Sequence, residues 1–238
     1  MTNLEASPPQ LSDLTTKCGR PYLKAIGLLL LLFLVCNSIF AHPIKGELDN
    51  LSKTDVAFLY LVLGYKHILP LGLDHILFVL SLFLLNPKLK PVVMQATAFT
   101  VAHTVTLGLA MYHIINPPAI IVEPLIALSI MYVALENIFS PRLKKSRIGI
   151  VFLFGLVHGV GFANALGELG LPQNAYFSSL IMFNVGVELG QLTVILAAFF
   201  LIGKWFGQKP YYRKRIVIPL SVAISVIAAY WTIQRIFF

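Results

Sequence analysis

Four of the six histidines in this 238-residue chain, His67, His75, His103 and His158, stand inside or at the edge of long apolar runs, as do Asp74, Glu123 and Glu188. An ionisable side chain in hydrocarbon costs several kcal/mol on insertion scales, so such groups mark function. Imidazole and carboxylate together suit a borderline divalent metal such as nickel, cobalt, zinc or copper better than magnesium or calcium. The two cysteines, Cys18 and Cys36, lie near the N-terminus and offer no thiolate site of zinc-binding spacing. His67, Asp74 and His75 are seven and eight residues apart, which places them on one helix face. Asn184, Glu188 and Gln191 follow the i, i+4, i+7 spacing of a second such face. His42 lies before the apolar runs and His113 at the outer end of one; both read as ordinary hydrogen-bonded histidines, although an N-terminal His42 freed of a leader could also bind metal. Glu136-Asn137 ends an apolar run and reads as solvated at the interface.

Membrane helices must position these groups. Hydrophobic residues make up 58% of the chain and charged residues 12%, about half the charge of a soluble domain. Runs long enough to cross a bilayer extend over about Ile68–Leu85, Met94–Ile115, Pro117–Phe139, Ile148–Leu166, Ala175–Ile202 and Ile216–Phe237. The expected fold is an all-α polytopic transmembrane bundle of about six spans. Ahead of it, residues 1–41 combine Lys17, Arg20 and Lys24, an apolar run from Ala25 to Cys36, and Ala41 before His42-Pro43. This is the pattern of a signal peptide or, uncleaved, a signal anchor. Residues 42–66 are expected to be an external polar segment and a short interfacial helix, and residues 67–238 the transmembrane domain.

The formal charge of +8 does not indicate nucleic acid, because eleven of the eighteen Lys and Arg residues fall in three loops, after the first, third and fifth spans. The loops at 113–118 and 167–174 have none. By the positive-inside rule the basic loops are cytoplasmic. The chain is then a multi-pass protein of the inner (plasma) membrane, with both termini of the mature chain external. At about 1.5 Å per residue, Asp74 and His75 lie about 10 Å below the outer surface, His103 about 14 Å, His158 about 12 Å and Asn184 about 13 Å. Glu188 falls near the midplane. Groups from different helices thus reach similar depths.

The segments from His67 to His75, Phe99 to Thr104, Gly155 to Gly159 and Asn184 to Gln191 resemble the HupE/UreJ family, membrane proteins associated with hydrogenase and urease gene clusters and regarded as nickel permeases. The similarity covers most of the chain after the leader. It departs from the family's motifs in two places. Six residues rather than five separate His67 from Asp74, and Phe154 and Gly161 stand where the second motif has His and Glu. On a continuous helix the extra residue would rotate His67 about 100°.

The resulting expectation is a permease or accessory protein handling nickel or cobalt, with His67, Asp74, His75, His103, His158 and Glu188 as candidate metal residues. Asp74 and His75 would capture the ion, His103 and His158 would hold it further in, and Glu188 would balance charge or relay protons. Neutral imidazoles are the binding form, so uptake should weaken in acid. Its partners would be the lipid bilayer, a divalent metal ion and hydrogenase or urease maturation proteins. A metal-dependent intramembrane hydrolase is the rival reading, against which the chain offers no clear nucleophile motif. A non-transporting subunit for metalloenzyme maturation is the third.

Overall fold

In hydrocarbon every backbone N–H and C=O must be satisfied within the segment, so long apolar runs become helices. The computed structural model describes residues 52–169 and 175–238, and these are helical with turns and contain no strand. The expected leader and the polar segment up to residue 51 lie outside the described residues. The helices are α1 (Lys53–Ile68), α2 (Leu73–Leu85), α3 (Leu89–Met111), α4 (Ala119–Phe139), α5 (Arg147–Leu169) and α6 (Tyr176–Ala198). A π-helical turn at Phe199–Gly203 carries α6 into the short α7 (Lys204–Phe206). A second π-helical turn, Arg213–Val217, leads into α8 (Ile218–Phe237).

Four of these segments are long and apolar enough to cross a membrane: α3, α4, α6 with its extension to Phe206, and α8 with its lead-in from Arg213. α1 and α2 meet the same criterion together, as a pair bent by 68°. α5 contributes a shorter apolar stretch, Arg147–Ala163. The sequence pattern implies a span from Ile68 preceded by an interfacial helix. The structure instead has a 16-residue α1 laid along α6, and a break at residues 69–72 before α2.

Small residues set the closest approaches, as they do in membrane bundles. A side-chain carbon at Gly64 of α1 would overlap the Phe183 carbonyl of α6, and one at Gly186 of α6 would overlap the Leu61 carbonyl of α1. Gly155 and Gly159 of α5 stand equally close to the Phe99 and His103 carbonyls of α3. Gly186 stands beside Tyr65 and Gly190 beside Ile68, and Gly155 beside Phe99 and Gly159 beside His103, so α1 is parallel to α6 and α3 is parallel to α5. α4 and α8 run antiparallel, because Arg235 donates to the Glu123 carbonyl and Asn137 donates to Ser221 Oγ. α2 lies among α3, α4, α6 and α8.

The three basic loops gather at one end of the bundle. Arg213 donates to the Ser140 and Ile138 carbonyls, and Tyr212 Oη donates to the Leu84 carbonyl at 3.1 Å. Tyr212 is buried, and that burial pushes its phenol up from the usual value. Nor is Glu136-Asn137 left to solvent. Arg147, only 1% exposed, donates to Glu136 Oε2 at 3.0 Å and to Asn137 Oδ1 at 3.0 Å. Asn137 Nδ2 in turn donates to the Ser81 carbonyl at 2.8 Å. These bonds tie the start of α5 to α4 and α2.

Candidate metal centre

The break between α1 and α2 builds the site. The chain bends sharply after Ile68, and Gly72 passes so close to the His67 carbonyl that any larger residue would collide with it. His67, at the end of α1, therefore faces His75, in the first turn of α2, with ring centroids 4.7 Å apart. The 100° rotation expected of a continuous helix does not arise, because the helix stops between the two residues. α3 supplies His103, 6.2 Å from His67 and 6.1 Å from His75 by ring centroids.

One ligand atom from each of His67, His75 and His103 lies within 4.8 Å of the other two. The Nε2 atoms of all three are buried and lack a hydrogen-bond partner. Bonds from imidazole to a divalent metal are about 2.0–2.1 Å, so a modest inward movement of the rings would close the trio on an ion.

Neighbouring groups fix which nitrogen is free. Asn184 Nδ2 donates to the Leu180 carbonyl at 2.8 Å, which turns Asn184 Oδ1 toward His103 Nδ1, 3.1 Å away. An amide oxygen only accepts. His103 must therefore carry its proton on Nδ1, leaving a lone pair on Nε2. Asp74 Oδ1 accepts from His75 Nδ1 at 3.1 Å and from the His75 backbone N–H at 2.9 Å, with the same consequence for His75. Metal-ligating histidines characteristically give their other N–H to a carboxylate or carbonyl in this way. Asp74 thus acts on the site through His75.

His158 of α5 stands beside the trio but outside it. Its ring centroid is 5.1 Å from that of His75. Ser129 Oγ donates to the Ile126 carbonyl at 2.6 Å and accepts from His158 Nε2 at 2.9 Å. His158 Nδ1 is left buried and unpartnered. Glu188 lies apart from the imidazoles, accepting from Thr97 Oγ1 at 2.6 Å and Thr100 Oγ1 at 2.5 Å. His113 is exposed near the end of α3.

Aromatic rings bound the cluster. Phe162 sits 3.8 Å from His67 and stacks on Phe183, 5.1 Å between centroids. On the other side Phe78 and Phe99, 5.0 Å apart, contact His158 at 5.5 and 4.9 Å. Sequence reasoning missed these rings and Ser129, because a phenylalanine or serine in an apolar helix carries no distinguishing pattern.

An all-helical bundle with several membrane-length apolar helices and a three-histidine cluster whose Nε2 atoms are buried defines a polytopic membrane protein with a candidate metal centre. The family model described as HupE / UreJ protein matches residues 45–235, and the chain belongs to that family. No curated protein and no solved structure matches it significantly.

Proposed function

We propose that this protein is a membrane permease or accessory protein that handles a transition-metal ion, nickel or cobalt, through an intramembrane site at His67, His75 and His103. The observation that carries the reading is the set of three buried Nε2 atoms without partners, two of them on rings whose other nitrogen is held by Asp74 and Asn184. Three imidazole ligands suit a nickel-class ion, and family membership supports the same role. Asp74 adds negative charge beside the ligands and helps draw a cation from water. His158, adjacent with a free Nδ1, takes the ion next on the inner side, where Phe78 and Phe99 separate the cluster from the basic end. In the membrane the basic loops face the cytoplasm, so the cluster lies in the outer half of an inner-membrane protein.

Metal analysis of detergent-purified protein, together with uptake of radioactive nickel by vesicles, tests the reading. Bound metal and uptake that are both lost in His75→Ala and His103→Ala are the expected result. A wild-type protein that retains no divalent ion and transports none would overturn it. Retained metal with hydrolysis of a lipid or peptide, and no uptake, would point to the hydrolase.

A further inference from the structure

Inward of the histidines, towards the basic end, α3 and α6 hold a second polar group of different chemistry. It is made of oxygen. Glu188 presents both carboxylate oxygens, one to Thr97 Oγ1 and the other to Thr100 Oγ1. Gln191, one turn along α6 and 0% exposed, aims its amide oxygen at Thr100 Oγ1, 3.5 Å away. Its Nε2 is buried without a partner.

The hydrogen-bond arithmetic does not close. Thr97 and Thr100 each have one hydroxyl proton. The two protons go to the two oxygens of Glu188, the Ala96 carbonyl already accepts a backbone N–H within α3, and Gln191 Oε1, aimed at the same Thr100 hydroxyl, is left without a donor. The group carries one formal negative charge, and among the described residues Glu188 forms no ion pair. An isolated carboxylate at this depth is costly unless a cation accompanies it.

We infer that Glu188, Thr97, Thr100 and Gln191 form a binding site for a hard alkali cation, sodium, distinct from the imidazole site for the transition metal. Carboxylate, hydroxyl and amide oxygens are ligands for hard ions, whereas imidazole suits borderline ones. A single negative charge matches a monovalent ion. A proton would need only the carboxylate and one acceptor, and would leave the converging hydroxyl and amide oxygens without a role. In secondary transporters, coupling ions sit near the bilayer midplane, which is the depth of Glu188. On the transport reading, sodium bound here would supply the driving force for metal movement.

The test is retention of radiolabelled sodium by the purified full-length protein in detergent, with choline as the replacement cation and no nickel present. Saturable retention by wild type that falls at least about tenfold in Glu188→Gln and Thr100→Val, and returns in Thr100→Ser, is the expected outcome. Sodium-dependent thermal stabilisation should follow the same order, which separates lost binding from lost folding. The inference is overturned if wild type retains no sodium, if Glu188→Gln retains as much as wild type, or if only pH and never sodium shifts the melting of wild type. Because no nickel is used, failure here leaves the reading of the histidine site untouched, and failure of nickel uptake leaves this one untouched.

Discussion

Two buried polar clusters in this bundle use hydrogen bonds in opposite ways. At the basic end, Arg147, Glu136 and Asn137 are directed at one another and at the Ser81 carbonyl. At the histidine cluster, each neighbouring group takes one ring nitrogen and leaves the other open. The first arrangement is a lock between helices. The second has unmet binding capacity, which in a low-dielectric interior is costly and is relieved only when something arrives. Burial alone does not separate them, since Arg147 and His158 are both 1% exposed. What separates them is whether the polar atoms point at each other or at a shared space.

This contrast predicts opposite failures. His75→Ala or His103→Ala should abolish metal retention, a greater loss than the about 10–100-fold that follows removal of an outer-shell partner, while the protein still inserts and accumulates. Disappearance of both variants from the membrane would make the histidines a second lock. Arg147→Ala should behave in reverse, because removing one partner of a buried pair costs about 3–5 kcal/mol. The expected result is lower yield and a reduced melting temperature in detergent, with metal affinity preserved in whatever folds. Asp74→Asn keeps the shape but removes the charge behind His75, so metal affinity measured by titration should fall about tenfold. A wild-type affinity would show that His75 needs no carboxylate. The smallest effect belongs to His113→Ala, an exposed residue near the end of α3, which should shift stability by no more than about 0.5 kcal/mol and leave uptake at wild-type level.

The helical class and most helix positions follow from apolar run length. The grouping of basic loops follows from their charge. The convergence of His75 and His103 is foreshadowed by their similar depth along separate runs. Three features were not legible. The break between Ile68 and Leu73 is hidden because Leu69, Leu71 and Leu73 continue the apolar run, and what marks it is the tight passage of Gly72 under the His67 carbonyl. The fate of Arg147 is hidden because a loop arginine and a buried one look alike until Glu136 is placed beside it. The separation of Glu188 from the histidines is hidden because depth alone groups them. It depends on which way α6 is turned, and the close approach of Gly186 to the Leu61 carbonyl of α1 helps to fix that rotation.

The seating of α1 on α6 also governs how the molecule is made. α1 leaves the ribosome before α2 to α5, but the surface that receives Gly64 is the Phe183 backbone of α6. Until α6 is inserted, α1 lacks the helix on which it comes to rest, and His67 at its end has no fixed position. A nascent chain halted after α5 would already contain His67, His75, His103 and His158 and would lack Asn184, the residue that sets the His103 tautomer. The centre is therefore completed late in biogenesis. On the metal-site proposal, fragments released early would carry its histidines without the geometry to hold an ion.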